Sequence, residues 1–293
     1  LAAVRLGTGR SAKVAVVGAE HLCALLDNST VKCWGYNGDG ELGLGNTTGR
    51  GDSADEGHGM GDALPAVNLG VRVKSISSGE WHSCAVLENN TVECWGWNAE
   101  GELGLGVTGG DNTSIGDQAG EMGDSLPTVN LGEGRTARAV VLGPESDSSC
   151  AILDNGSVKC WGYNGSGQLG IGDNAGLKNK IGDQPGEMGD DLPTVNLGAG
   201  RTAKALALGL LHTCAILDNG SVKCWGGNEF GQLGLGSTAS PQDKIGDQAG
   251  EMESLGTVDL GTKRRAKAIA AGSVFTCALL DNGAVKCWGD NYY

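Results

Sequence analysis

The sequence is poor in aromatic side chains and in positive charge. It has two phenylalanines, four tyrosines and seven tryptophans, and its 21 Lys and Arg face 35 Asp and Glu, for a formal net charge of -14. That balance argues against a nucleic-acid partner, whose phosphates must be met by basic groups. No apolar run approaches the roughly 18 residues that cross a bilayer as a helix, so membrane insertion is not expected. The first residues, "LAAVRLGTGR", lack the charged and apolar regions of a secretory signal. If the protein is secreted, that signal has been removed or lies upstream. No Cys-x-x-Cys occurs, and a pair of thiolates alone leaves a zinc site two ligands short. Serines lie outside any nucleophile elbow, and no glycine-rich phosphate loop opens a helix. The four histidines offer little more. His21, His82 and His212 share one repeat position that is Ser148 and Phe275 elsewhere. Such variation suits packing or strand-end hydrogen bonding better than a metal ring or a general base. His58 stands alone in a polar loop. No catalytic set emerges, and the chain is expected not to be an enzyme.

What the sequence does hold is a repeated phrase. "HTCAILDNGSVKCWG" from His212 recurs as "HLCALLDNSTVKCWG" from His21, "HSCAVLENNTVECWG" from His82, "SSCAILDNGSVKCWG" from Ser148 and "FTCALLDNGAVKCWG" from Phe275, and these copies contain every cysteine of the chain. β-Branched and aromatic residues on both sides of Asp-Asn-Gly favour two short strands joined by a tight turn. With Asp218, Asn219 and Gly220 as a three-residue loop, Gly220 takes the left-handed position. Pairing then runs outward through Leu217 with Ser221, Ile216 with Val222 and Ala215 with Lys223 to Cys214 with Cys224. Cysteines at such a non-hydrogen-bonded pair are close enough for a disulfide. The same register pairs Cys23 with Cys33, Cys84 with Cys94, Cys150 with Cys160, and Cys277 with Cys287. Buried free thiols are the competing reading, but packing alone does not require a pair in every hairpin. Ser29 and Asn90 stand where the other copies have the turn glycine.

The hairpins belong to a longer unit that opens at "LAAVRLG", "LPAVNLG", "LPTVNLG" (twice) and "LGTVDLG", giving repeats 1–63, 64–125, 126–191, 192–254 and a shortened 255–293. Within each, a strand-like "PTVNL" precedes "RTAKALALG", the hairpin, "WGxNxxGxLGLG" and a long acidic loop. Four short strands with glycine at the joints suit an all-β propeller of four-stranded blades. "WGYNGSGQLGIGD", "HTCAILDNG" and "GRTAKALALG" resemble the repeat of the regulator of chromosome condensation (RCC1) family along the whole chain. The resemblance implies a propeller, in that family usually seven-bladed and closed by its terminal strands. The present sequence holds about 4.6 units, each about a dozen residues longer than the family's, and adds the cysteine pairs. It is expected to be a segment of a longer array.

Trp34, Trp95, Trp161, Trp225 and Trp288 follow the second cysteine and are expected in the blade core, while Trp81 and Trp97 fit either core filling or exposed anchors. Paired cysteines and seven Asn-x-Ser/Thr sequons point to an extracellular or cell-surface location through the secretory pathway. Asn46, Asn112 and Asn164 lie in loops. Asn28, Asn89, Asn155 and Asn219 lie in hairpin turns, where turn chemistry favours the same residues. The acidic loops read "IGDQAGEMGDS", "IGDQPGEMGDD" and "IGDQAGEMES". Asp117, Glu121 and Asp124, like Asp183, Glu187 and Asp190, are spaced so that calcium could bridge them, although the spacing is that of neither common calcium loop. A solvated rim and packing on a neighbouring blade are the alternatives. The functional expectation is a structural or adhesive propeller that engages a protein or glycan, or copies of itself, through these repeated loops. A secreted enzyme inhibitor, as in β-lactamase-inhibiting propellers that resemble this family, is the second reading; it would call for unlike, aromatic-rich loops on one face. A guanine-nucleotide exchange factor is third, because the acidic balance and paired cysteines do not suit a nuclear, DNA-bound protein.

Overall fold

The computed structural model describes residues 3–51, 59–106, 114–172, 179–236 and 243–292. Asn112 and His58 lie outside them. The first sheet contains β1 (Ala12–Val17), β2 (His21–Leu26) and β3 (Val31–Gly35), and the second β4 (Val73–Ser78), β5 (His82–Leu87), β6 (Val92–Trp97) and the two-residue β7 (Ser114–Ile115). The third has β8 (Ala137–Leu142), β9 (Ser148–Leu153), β10 (Val158–Tyr163) and β11 (Lys180–Ile181). The fourth has β12 (Ala203–Leu208), β13 (His212–Leu217), β14 (Val222–Gly227) and β15 (Lys244–Ile245), and the fifth β16 (Ala266–Ala271), β17 (Phe275–Leu280) and β18 (Val285–Gly289). A single helical turn, α1 (Glu251–Ser254), precedes the fifth sheet. All pairings are antiparallel and sequential, and the first strands of successive sheets lie side by side, which places them innermost in a propeller.

The hairpin register is the one the turn dictates. Cys214 faces Cys224, Ala215 faces Lys223 and Ile216 faces Val222. The Leu217 amide donates to the Ser221 carbonyl at 2.9 Å, and Gly220 takes φ +83°. Ser29 and Asn90 adopt the same left-handed conformation, at φ 66° and 68°, without a glycine's freedom. Disulfides join Cys23–Cys33, Cys84–Cys94, Cys150–Cys160, Cys214–Cys224 and Cys277–Cys287, each with Cα atoms 4.1 Å apart. The first four are buried.

One element differs from expectation. The "PTVNL" segment does not open its own sheet as a strand but returns along the outer strand of the preceding one. Val67, Val129, Val195 and Val258 donate their amides to the carbonyls of Val31, Val92, Val158 and Val222 at 2.8–2.9 Å. With one such bond per segment it fastens successive blades rather than extending a ladder. The fourth strand comes instead from the acidic loop, as in Gly96 opposite Ile115. In the first sheet an isolated bridge between Gly35 and Arg50 takes that place.

The core lies between blades rather than within them. Between the first two sheets it brings together Leu25, Val31, Leu42, Val67, Ile76, Leu87 and Trp95 with the Cys23–Cys33 sulfurs. Burial of this kind contributes roughly 25 cal/mol per Å² of apolar surface. The outward faces of the first and fifth sheets carry exposed Val14, Val17, Phe275 and Val285.

Candidate functional site at the loop end of the propeller

Most polar side chains that recur from repeat to repeat are used up in joining blades. Trp95, Trp161, Trp225 and Trp288 each send the indole N–H back one blade, to the carbonyls of Glu41, Glu102, Gln168 and Gln232 at 2.8–2.9 Å. The shared histidines reach forward one blade. His21 Nε2 meets the Ser83 hydroxyl at 2.9 Å, His82 the Ser149 hydroxyl at 2.9 Å and His212 the Thr276 hydroxyl at 2.8 Å. Burial lowers all three imidazoles, His21 and His212 to about 4 and His82 to about 3. They are neutral clips between blades at physiological pH, as packing histidines are.

Glu41, Glu102, Gln168 and Gln232 occupy one equivalent position and are all buried. Each side chain accepts the amide N–H two residues earlier at 2.9–3.0 Å. The second carboxylate oxygen of Glu41 and of Glu102 is buried without a hydrogen-bond partner, as is Nε2 of Gln168. Burial therefore pushes the Glu41 carboxyl up to about 7 and that of Glu102 well above the ordinary range. The glutamines of the later repeats are the uncharged version of the same part. Glu102→Gln removes the buried charge while leaving an unmet polar atom, as Gln168 does, and is accordingly expected to stabilise the protein at pH 8 by about 1–3 kcal/mol. With the folded carboxyl raised, wild-type stability falls as pH rises from the unfolded value, so the two unfolding curves should diverge above about pH 4.5 and coincide below it. A gain that is the same at pH 4 and pH 8 would contradict this.

The acidic loops are mortar as well. Glu121, Glu187 and Glu251 turn inward, each Oε2 accepting two amides of its own loop: Gly116 and Gln118 at 2.8 and 3.0 Å, Gly182 and Gln184 at 2.9 and 3.0 Å, Gly246 and Gln248 at 2.9 and 3.0 Å. The loop backbones press on the preceding blade, where Gly45, Gly106 and Gly172 donate to the carbonyls of Gly116, Gly182 and Gly246 at 2.8–3.0 Å. A Cβ on Gly40 or Gly101 would come within 2.5 or 2.7 Å of the amide nitrogen of Asp117 or Asp183, so only glycine fits there.

The calcium ligands expected from spacing do not converge. Asp183 is 3.6 Å from the Lys180 ammonium, Glu187 is occupied within its loop, and Asp190 accepts the Glu133 amide at 3.2 Å. In the preceding loop Glu121 is held in the same way and Asp124 lies beside Gly70, apart from Asp117. Among the described residues no three His, Cys, Asp or Glu side chains are grouped to hold a metal. The reason is chain direction: in the third repeat's loop Glu187 is spent on its own amides, Asp183 on the fourth-strand lysine and Asp190 on the turn before the third sheet's first strand.

The sequons sort in a similar way. Asn28, Asn89, Asn155 and Asn219 each accept the amide and hydroxyl of the residue two positions on, closing the hairpin turn. Asn164 is fully buried and its side chain accepts the Leu169 amide at 3.1 Å, so the folded protein leaves no room for a glycan there. Asn46 is partly exposed.

What remains for recognition is the end of the propeller where first strands run into second strands and third strands leave the blade. The loops 18–20, 36–41, 79–81, 97–102, 143–147, 163–168, 209–211, 227–232 and 272–274 carry Tyr36, Trp81, Trp97, Tyr163 and Phe230. Tyr36 and Phe230 are 46% and 49% exposed. Trp81 and Trp97 are half-buried, so neither is a core tryptophan of the Trp95 kind. Tyr36 of the first blade and Trp81 of the second meet edge to face, ring centres 5.9 Å apart. Main-chain bonds from Ala19 to Glu80, Glu80 to Ser146 and Leu210 to Ser273 link the inner loops, and the Ser273 hydroxyl donates to the Glu145 carboxylate. These loops hold Glu20, Asp39, Glu80, Glu100, Glu145, Asp147 and Glu229 besides the buried Glu41 and Glu102, and not one Lys or Arg. Burial, with Glu80 and Glu100 nearby, raises Asp147 to about 6.

The opposite end has no aromatic residue in its hairpin turns, and four of those turns pair their aspartate with an arginine. Arg10–Asp27, Arg135–Asp154, Arg201–Asp218 and Arg264–Asp281 pair there at 3.5, 3.2, 2.8 and 3.4 Å.

Comparison with known proteins agrees with this architecture. The Regulator of chromosome condensation (RCC1) repeat matches residues 12–41, 73–102, 146–168, 203–232 and 266–293. The chain belongs to the RCC1 repeat family, in a disulfide-containing form. It is 27% identical to the Ultraviolet-B receptor UVR8 of Arabidopsis thaliana over 280 residues, 94% of this chain and 52% of that protein. It is 30% identical to the mitochondrial RCC1 domain-containing protein RUG3 of the same plant over 217 residues, 73% of this chain and 42% of that one. The chain thus spans about half the length of these relatives. Among solved structures it resembles human WBSCR16 (TM-score 0.69, 19% identity, 96% of this chain and 62% of that one). It also resembles Prp20p of Saccharomyces cerevisiae (TM-score 0.67, 21% identity, 94% and 56%), a protein with binding properties to Gsp1p and histones. At these identities the structural likeness speaks for the propeller alone.

Proposed function

We propose that this protein is a non-enzymatic recognition propeller that docks a partner protein on its loop end, in an oxidising extracellular or cell-surface compartment. The observation that carries the reading is the collection of exposed and half-buried aromatics on unlike loops at one end, since aromatic anchors on a rigid scaffold are the usual core of a protein interface. Five disulfides support the compartment, because thiols in the cytosol and nucleus are kept reduced. The repeated acidic loops spend their glutamates and glycines on blade junctions, which weakens the reading of multivalent adhesion through them. Unlike aromatic loops on one face are also what a secreted enzyme inhibitor requires, so that reading stands second.

Carbodiimide cross-linking tests the proposal, because the loops named above carry carboxylates and no lysine of their own. In the protein fraction of its native compartment, the chain is expected to yield partner peptides joined to loops 36–41, 79–81, 97–102 or 227–232. Cross-links confined to the hairpin turns at 27–30, 88–91, 154–157 and 218–221 would overturn it.

A further inference from the structure

Resting on that docking surface, we infer that its occupant is a basic, arginine-rich protein segment seated over the junction of the first two blades, on Tyr36 and Trp81. The two rings give an apolar floor that spans the junction. Glu20 and Asp39 lie near the Tyr36 ring on the first blade, Glu80 directly precedes Trp81 on the second, and Glu100 follows in the next loop of that blade. Burial first, and then Asp39, Glu41 and Glu20, raises the Tyr36 phenol, as burial and then Glu80 and Glu100 raise Asp147. Carboxylates of one sign held on a rigid edge repel in the free protein, and an incoming cation relieves that repulsion. Lys180, which donates to the Ala99 carbonyl, is engaged with Asp183, and Arg50 stands at the rim with its backbone paired to Gly35. A guanidinium suits the site better than an ammonium, because it can stack on an indole or phenol face while its edge bonds a carboxylate. The hairpin end, with the same fold and with an arginine paired to the turn aspartate in four of the five blades, serves as the internal control.

The probe is an octa-arginine peptide, titrated calorimetrically into the full chain beside octa-lysine and octa-glutamate. Octa-arginine is expected to bind with an affinity that falls as salt rises. The variant Glu20→Gln/Glu80→Gln/Glu100→Gln should bind about tenfold more weakly, from a few tenths of a kcal/mol per exposed charge. Glu88→Gln/Glu133→Gln at the other end should bind within about twofold of wild type by the same reasoning. Trp81→Ala should weaken octa-arginine more than octa-lysine. Equal losses at both ends would show attraction to net charge alone and overturn the inference, as would absence of octa-arginine binding or a neutral oligosaccharide occupying the loop end in its place. The two readings fail separately. Cross-links at the loop end without octa-arginine binding would sink only the basic partner, whereas octa-arginine at the loop end with partner cross-links at the hairpin turns would sink only the docking surface.

Discussion

Reduced in denaturant and returned to buffer under reductant, the protein is expected to melt at least about 10 °C below its oxidised form. Each disulfide closes a hairpin with a sequence separation of 10. A loop of that size restricts the unfolded chain by about 2–3 kcal/mol. Five such terms sum to about 10–15 kcal/mol, a quantity comparable with the whole stability of a typical domain. A chain of this length loses a little under about 2 °C per kcal/mol, so that sum puts the shift above about 10 °C. Calorimetry of oxidised and reduced samples, with peptide mapping to confirm five local pairs, checks it. A reduced protein melting within about 2 °C of the oxidised one would mean that inter-blade packing alone holds the hairpins.

The second large effect is a gain. In three repeats a buried lysine fastens the outer turn. Lys32 donates to the Gly61 carbonyl at 2.7 Å, Lys159 to Gly189 at 2.5 Å and Lys223 to Met252 at 2.6 Å. The second repeat has Glu93 instead, buried, with Oε2 lacking a partner. Burial first, and then Asp124, pushes its carboxyl up to about 7. The raised value means that stability is complete below the unfolded value near 4.5 and is lost as pH rises to about 7. Glu93→Lys replaces the unmet carboxylate with the donor used in the other blades and turns repulsion from Asp124 into attraction. It is expected to add about 2 kcal/mol at pH 8, near 4 °C in melting temperature, with the gain shrinking below pH 5. A variant no more stable than wild type at pH 8 would show that the second blade has repacked around its glutamate.

Much of this architecture was legible in the chain. The Asp-Asn-Gly spacing dictates the pairing from Leu217 outward, and the cysteines mark it, because a hairpin register is a local property. The tryptophans after the second cysteine read as core, and Trp95, Trp161 and Trp225 are fully buried against the preceding blade, whereas Trp34 and Trp288 in the first and last sheets are half-buried. Relations that cross from one repeat to the next were hidden. Glu187 looks like a metal ligand beside Asp183 and Asp190, but the loop folds back and gives it the amides of Gly182 and Gln184. Val129 looks like the start of its own blade and bonds the previous one. A signal for the histidine clips was present: repeats two to five carry Ser83, Ser149, Thr213 and Thr276 one position after the shared histidine site, where the first has Leu22. The loop end was legible only in part, because its acidic and aromatic residues lie far apart in sequence and meet only when strand direction is known.

Hydrogen exchange on the native chain, free and bound to its partner, tests the central claim most directly: the repeated polar residues join blades and the unlike loops recognise. The account predicts that the amides of Gly116, Gln118, Gly182 and Gln184 are protected in the free protein and are unchanged by calcium, chelator or partner. Loops 36–41, 79–81 and 97–102 should gain protection only on binding. Acidic-loop amides that exchange freely until calcium or the partner is added, with the loop end unaffected, would contradict it.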